Sequence, residues 1–208
     1  MKKRAATAAD ELPETKRKLM EAGVDVMRLK GYNATTVDNV CAEAGVTKGG
    51  FFHYFSSKED LATAALKYFR DAQTEEMRTA AFRKLEDPLE RVYGRLDFVT
   101  SVRAGARLTR GCLIGNFAQE LSFTHPELRG VCDEMFARMA EDIERDLAEA
   151  KARHAPKAAF EPKAVAMLYV SITQGSLMLA KASASNAVYR SNVAQFKQYL
   201  ETLFARKG

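Results

Sequence analysis

The sequence contains few of the residues that build covalent or metal-stabilised scaffolds. It has three cysteines and three histidines in 208 residues. An odd number of cysteines argues against a disulfide framework and favours a reducing compartment. His53, His125 and His154 are far apart in the chain, and none has a metal-ligand spacing to a cysteine. We therefore expect no metal and no other cofactor.

Long apolar runs are missing as well. No uninterrupted apolar stretch reaches the roughly 18 residues that a membrane span needs. The segment Met1-Lys2-Lys3-Arg4 is basic, but alanine, threonine and acidic residues follow it in place of the apolar core of a signal peptide. These absences lead us to expect a cytoplasmic protein with no membrane partner. The net charge of +5 favours a polyanionic partner only weakly, because many basic proteins bind no nucleic acid.

Strand signals are nearly absent, since the chain has no sustained period-two alternation and no Asn-Gly or Asp-Gly hairpin turn. Helical spacing of apolar residues recurs instead, which predicts an all-α fold of about nine helices. Helix-capping residues and glycines divide residues 14 to 70 into four helices, with a frayed terminus before them. The predicted caps and stops are Gly31, Thr35 with Asp38, Gly45, Thr47, and Ser57 with Asp60. Longer helices are predicted at about 88–102, 111–122, 126–153, 161–183 and 189–206.

Residues 35 to 55 have the organisation of a helix-turn-helix, with two short helices joined by a tight turn at a glycine. In such a motif the second helix must protrude into a major groove about 12 Å wide. We expect Val46, Phe52 and Phe55 to face inward. The pair Gly49-Gly50 costs about 1 kcal/mol per glycine relative to alanine, and close approach of the backbone to DNA is a gain that offsets it.

Residues around this second helix are the predicted contacts to double-stranded DNA. For Tyr54 and His53, packing inside the protein is the alternative to a phosphate contact. A basic arm over residues 1–13 is either a minor-groove contact or a solvated terminus. The predicted DNA-binding residues are Thr36, Thr47, Lys48, Gly49, Gly50, Phe51, His53, Tyr54 and Lys58.

The same region resembles the DNA-binding signature of the TetR/AcrR family of transcriptional regulators. The resemblance covers about a quarter of the chain, from Thr15 to Leu66, and Phe51 departs from it because a smaller or aliphatic residue is common there. The run that carries it is Gly31-Tyr32, Thr35-Thr36-Val37-Asp38-Asn39-Val40, Ala44-Gly45-Val46-Thr47-Lys48-Gly49-Gly50-Phe51-Phe52-His53-Tyr54-Phe55 and Ser57-Lys58-Glu59-Asp60-Leu61. It implies an N-terminal three-helix bundle with a helix-turn-helix at residues 14–70, and a larger helical ligand-binding and dimerisation domain at residues 71–208.

The resemblance further implies a homodimer and a small-molecule effector. The helices at 161–183 and 189–206 are the expected dimer face, because they are apolar over more than one face and carry small residues; a purely intramolecular core is the alternative. Methionines and phenylalanines at helical spacing fit either a core or a pocket. The predicted ligand or sensor residues are Phe98, Cys112, Asn116, Phe117, Met135, Met139, Leu168, Ile172 and Lys181, with Val102, Leu113 and Met178 as further candidates.

Gly111-Cys112-Leu113 supports a separate hypothesis. The N-terminal turn of a helix lowers the pKa of a thiol, and Arg103, Arg107 and Arg110 lie nearby in the sequence. This Gly-Cys-Leu sequence at the start of a helix, together with Lys181 late in the next-to-last helix, resembles a subgroup of the family that senses electrophiles and oxidants through that cysteine. The resemblance implies that Lys181 would stabilise the thiolate. A small packed residue is the alternative interpretation of Cys112.

Three classes of function were weighed. The first is a homodimeric repressor that binds a palindromic operator and is released by a small molecule or an electrophile. The second is a DNA-binding architectural protein that responds to no ligand. The third is an enzyme, which we do not expect because the sequence has no nucleophile–base–acid set, no phosphate loop and no metal site.

Overall fold

A computed structural model describes residues 12–101 and 109–204. Within these ranges the chain is helical and has no β-strand. Most of the basic arm at 1–13, together with Val102, Arg103 and Arg107, lies outside the described residues. The helices are α1 Glu14–Lys30, α2 Val37–Ala44, α3 Lys48–Tyr54, α4 Lys58–Thr79, a 3-10 turn Ala81–Lys84, α5 Pro88–Thr100, α6 Leu113–Leu121, α7 Pro126–His154, α8 Pro162–Ser183 and α9 Ala187–Phe204. The predicted all-α fold is confirmed.

Most helix ends follow from the capping residues in the sequence. Gly31 and Gly45 end α1 and α2 with φ of 83° and 64°, a backbone conformation that L-residues with a side chain adopt rarely. The start of α2 was predicted one residue too early: Thr36 caps it, because its hydroxyl accepts from Asn39 N at 3.2 Å. Thr35 is buried instead, and its hydroxyl donates to the Gly31 carbonyl at 2.6 Å.

The core consists of two packed clusters. The first joins α1 to α4 with α6 and the first half of α7 through buried residues such as Leu66 and Phe117. The second joins α5, the second half of α7, α8 and α9 through residues such as Leu96 and Phe196. Because α6 and α7 pack directly on the first four helices, a displacement of α6 or α7 is transmitted to them through close-packed contacts.

Helix α8 carries large apolar side chains on its exposed side as well as on its buried side. It is the one described helix that is long and apolar enough, by length and composition, to cross a membrane, and 39% of its most apolar 18-residue window is buried. Large apolar side chains remain exposed along it, including Met167, Leu168, Met178 and Leu179. Leu168 and Leu179 line a groove together with Phe196 and Tyr199 of α9, and we call this groove and its rim the apolar outer face.

An ionic cluster fixes α5 and the 3-10 turn against α7. Arg95 Nη2 donates to Asp142 Oδ2 at 2.6 Å, and Arg91 Nε donates to Asp146 Oδ1 at 2.8 Å. Arg83 contacts both of these carboxylates. Burial alone would raise the pKa of Asp142, but the adjacent Arg95 and Arg83 outweigh it and hold that pKa below its ordinary value of 3.8.

Arg95→Met is expected to lower the free energy of unfolding by about 3 kcal/mol at pH 7, because it removes one partner of a buried ion pair. A carboxylate with a depressed pKa stabilises the fold above its unfolded value and loses that effect as the pH falls through its folded value. The difference between the two proteins should therefore shrink as the pH falls below 3.8. Urea unfolding at a series of pH values measures it, and a difference independent of pH would contradict the expectation.

Candidate functional site

Helices α2 and α3 are joined by a tight turn. Gly45 takes the left-handed conformation, which lets Val46 N donate to Cys41 O at 3.0 Å. Thr47 then begins α3, where its hydroxyl accepts from Gly50 N at 3.1 Å. The helix is short, ends at Tyr54, and packs against α1 and α2. This is the geometry of a helix-turn-helix, as the sequence predicted.

The two phenylalanines of α3 lie opposite to the prediction. Phe51, predicted to contact DNA, is fully buried and packs on Phe55 with ring centroids 5.8 Å apart. Phe52, predicted to face inward, is 56% exposed. Residues four positions apart share a helix face, so Phe51 and Phe55 point into the core together, whereas Phe52 is turned away by about 100°. Both predictions were wrong for this reason.

The outer surface of α3 is therefore formed by Gly49, Phe52 and His53, all of which are exposed. Among the described residues a Cβ on Gly49 would meet only Thr47 Oγ1, at 3.9 Å, so none of them requires a glycine there. A Cβ on Gly50 would lie 2.7 Å from Val46 Cγ1, which gives this glycine an internal reason. Close approach to DNA is thus an explanation for Gly49 and is not needed for Gly50.

The other predicted DNA contacts surround this surface. Thr36 caps α2 and is exposed. Lys48 Nζ forms an exposed ion pair with Asp38 at 2.9 Å. Tyr54 is partly buried against the first core cluster, with its ring 4.7 Å from that of His53. These groups remain predicted contacts.

Lys58 connects the start of α4 to the turn that follows α1. Its Nζ donates to Tyr32 O at 3.0 Å and lies 4.2 Å from the centre of the Tyr32 ring. This contact fixes the first turn of α4, whose free N–H groups attract anions. A phosphate contact of Lys58 stays a prediction.

A cavity of about 1990 Å³ lies between the first four helices and the rest of the chain. Its wall includes residues of α1, α4, α5, α6, α7, α8 and α9. Four of the residues predicted for a pocket line it: Phe98, Cys112, Met135 and Met139.

Other predicted pocket residues lie elsewhere. Phe117 is fully buried in the core, edge-on to Tyr32 at 5.9 Å. Leu168 and Ile172 line a separate groove of about 430 Å³ between α8 and α9, on the outer apolar face. Helical spacing could place these residues on an apolar face but could not distinguish the inner face of α8 from its outer face. Their assignment to the cavity was wrong, as were those of Leu113, which is fully buried, and Met178, which is exposed.

Asn116 and Lys181 also lie outside the cavity, where they bind the end of α1. Asn116 Nδ2 and Lys181 Nζ both donate to Arg28 O, at 3.1 and 2.7 Å. In return, Arg28 donates to Gly111 O through Nη2 at 2.8 Å. The carbonyls of a last helical turn have no partner within the helix, so polar side chains from α6 and α8 satisfy one of them here. We call these contacts the α1 junction.

Glu120 completes the α1 junction, and the sequence analysis missed it. Its carboxylate accepts from Tyr32 N at 3.2 Å and from Asn33 N at 3.0 Å, directly after α1. The buried Arg28 was missed as well. An arginine in an amphipathic helix is normally expected on the solvated side, so nothing in the sequence indicated that Arg28 would be buried.

Cys112 does not have the environment predicted for a reactive thiol. It caps α6 and is buried. Burial raises the pKa of its thiol and outweighs the opposing effects of the Gly115 and Ile114 amides, of Gln174 and of Arg28. The predicted lowering of this pKa was wrong, because burial of the thiol outweighs the effect of the helix terminus.

Two of the charged groups invoked for Cys112, Arg110 and Lys181, lie within the described residues, and both have other partners. Arg110 forms an ion pair with Asp25 at 2.8 Å. Lys181 Nζ is bound to the Arg28 carbonyl. The described environment of Cys112 therefore favours the thiol over the thiolate that the reactive-cysteine hypothesis needs.

Comparisons with known proteins agree with this architecture. A family model described as "Bacterial regulatory proteins, tetR family" matches residues 19–65, and one described as "Tetracyclin repressor-like, C-terminal domain" matches residues 88–196. The chain is 29% identical over 168 residues to the transcriptional regulator AcuR of Cereibacter sphaeroides, covering 78% of this chain and 74% of that protein. It is 27% identical to the HTH-type transcriptional repressor DhaR of a Mycobacterium species, covering 78% and 80%.

Solved structures show the same fold. The crystal structure of a regulatory protein TetR from Rhodobacter sphaeroides superposes with a TM-score of 0.80 at 24% identity, over 90% of this chain and 99% of that one. A TetR regulator from Chloroflexus aurantiacus superposes with a TM-score of 0.78 at 23% identity, over 90% and 94%. The second family model alone spans half of the chain. The chain therefore belongs to the TetR family of transcriptional regulators, and α2 and α3 form its DNA-binding helix-turn-helix.

Proposed function

We propose that the protein is a homodimeric repressor that binds a two-fold symmetric operator through α3 and is released when a small molecule occupies the cavity. The observation that carries this proposal is that the helices supporting α3 also form the cavity wall. Val24 and Arg28 of α1 line the cavity, as do Tyr68 and Phe69 of α4. A molecule in the cavity therefore contacts the helices that set the position of α3.

The α1 junction supports the coupling between ligand and DNA. It binds the end of α1 to α6 and α8, and Arg28 belongs both to the junction and to the cavity wall. A ligand that moves this wall changes the position of α1 and hence of α3. Tenfold weaker DNA binding needs a ligand that favours the released state by about 1.4 kcal/mol.

The apolar outer face of α8 and α9 supports the homodimer. Exposed apolar residues there surround a groove lined by small residues such as Ser171 and Gly175, which allow helices to approach closely. A contiguous exposed apolar patch marks an interaction site. Two helices from each copy would pair, and the two copies of α3 would then meet half-sites about 34–36 Å apart or a multiple of that distance.

A reversible ligand accounts for the release better than an electrophile does, because the Cys112 thiol is buried with a raised pKa. Cys112→Ser keeps a side chain of similar size at the cavity wall, so compounds that release the wild type are expected to release the variant as well. The measurement is operator release by each compound, in wild type and variant. Release of the wild type by an electrophile, lost in Cys112→Ser, would contradict the expectation.

The experiment that tests the proposed function is a screen of small molecules for release of a fluorescent operator. A compound that acts through the cavity should lose its effect in Met139→Trp, which narrows the cavity, while operator affinity without the compound stays unchanged. Leu85→Trp, at an exposed position, is the matched control. If operator binding is intact and no compound alters it, the ligand-independent architectural function is favoured instead.

A further inference from the structure

Three buried polar atoms of residues that line the cavity have no hydrogen bond of normal geometry. They are Arg95 Nε, Thr173 Oγ1 and Gln174 Nε2. Arg95 is 3% exposed and Thr173 is 6% exposed, and all three residues line the cavity. A buried N–H without a partner is unfavourable, so such a group calls for a compensating ligand. The two nitrogens can only donate, and the hydroxyl can donate, so the matching group is an acceptor.

Two of these atoms come from consecutive residues of α8, Thr173 and Gln174, which both line the cavity. Thr173 lies close to the buried Tyr169 phenol, on which Arg95 also acts. Gln174 lies beside the Cys112 thiol. Thr173 and Gln174 therefore offer two donors at adjacent positions of the cavity wall.

The charged residues that line the cavity carry a small positive excess, because they include eight arginines and six acidic residues. Arg95, one of these arginines, is paired with Asp142. The buried Arg28 is another of them. An anionic acceptor is favoured over a neutral one here, because its hydrogen bonds are charge-assisted.

The cavity wall also carries large apolar side chains, including Phe98, Ile114, Met135 and Met139. We propose that the effector is a small apolar carboxylic acid whose carboxylate accepts hydrogen bonds from Thr173 and Gln174. The proposal rests on the proposed function, since it names the chemical class of the molecule that occupies the cavity. The apolar part of the acid packs against the methionines and Phe98.

Calorimetry on the DNA-free protein tests this directly. The probes are butyrate, octanoate, benzoate and 3-phenylpropionate, each with its primary amide and its alcohol. At least one acid should bind, about tenfold or more tighter than its amide and alcohol. Thr173→Val and Gln174→Met should each weaken the binding of that acid by about tenfold, which corresponds to 1.4 kcal/mol. The affinity for the corresponding alcohol should stay unchanged.

Thr202→Val, on the exposed side of α9, is the matched control and should bind the acid as the wild type does. Circular dichroism and operator affinity show that the variants are folded. The proposal is overturned if no acid binds, if an amide or alcohol binds as tightly as its acid, or if both cavity variants keep wild-type affinity.

Operator release is measured separately with the same probes. If an acid binds as expected but the operator stays bound, the effector site stands and the proposed release fails. If other compounds release the operator through the cavity and no acid binds, the proposed function stands and the acid class is wrong.

Discussion

Phe51→Ala is expected to lower the free energy of unfolding by about 3–5 kcal/mol and to abolish operator binding with it. Phe51 is fully buried between α1 and α2, where it packs on Phe55 and Phe52. Removing a buried aromatic ring loses its transfer free energy and leaves a cavity. Urea unfolding followed by circular dichroism measures the loss.

Phe52→Ala is the matched experiment on the adjacent ring. Because Phe52 is exposed, its removal should change the free energy of unfolding by no more than about 0.5 kcal/mol. Operator affinity should nevertheless fall by about tenfold or more, since an aromatic ring on this face can contact thymine methyl groups. The placement of α3 would be contradicted if Phe52→Ala unfolded the protein, or if Phe51→Ala were as stable as the wild type.

Leu168→Glu is expected to produce a folded monomer whose operator affinity is more than about 100-fold weaker. Leu168 is 41% exposed and lines the groove between α8 and α9. A carboxylate there would be buried without a partner in a dimer but hydrated in a monomer, so it disfavours association alone. A monomer binds each half-site separately, so it lacks the operator affinity that a dimer gains by linking two DNA-binding domains.

Sedimentation equilibrium and operator titration measure the two effects of Leu168→Glu. Lys163→Glu is the control, because Lys163 is exposed on the same helix but about 140° away from Leu168. It should remain dimeric. A dimer in Leu168→Glu, or a monomer in the wild type, would contradict the proposed interface.

Helix boundaries could be predicted because local chemistry decides them. Gly31 and Gly45 end their helices through their backbone freedom, and Thr47 and Ser57 begin theirs with side-chain caps. The reversed prediction of which ring is buried, Phe51 or Phe52, has a different origin. Both are aromatic neighbours on a short helix, so hydrophobicity could not choose between them, and the helix phase set by Thr47 was decisive.

The tertiary partners of polar residues could not be predicted from the sequence. Asn116 and Lys181 stand out as polar residues on apolar helices, but their partner is the carbonyl of Arg28, distant in the chain. The pKa of Cys112 depends on how much water surrounds the helix terminus, which packing determines. The motif therefore indicated the DNA-binding surface, whereas the cavity required the folded chain.

Selection of bound DNA from a random pool tests the central claim most directly, with wild-type protein and with the double variant Phe52→Ala, His53→Ala. The wild type should enrich a two-fold symmetric sequence with half-sites about one helical turn apart or a multiple of it. The double variant should remain a folded dimer and enrich no sequence, or a different one, because its outer α3 face is changed. Enrichment of the same symmetric sequence by both proteins, or of an asymmetric sequence by the wild type, would contradict the account.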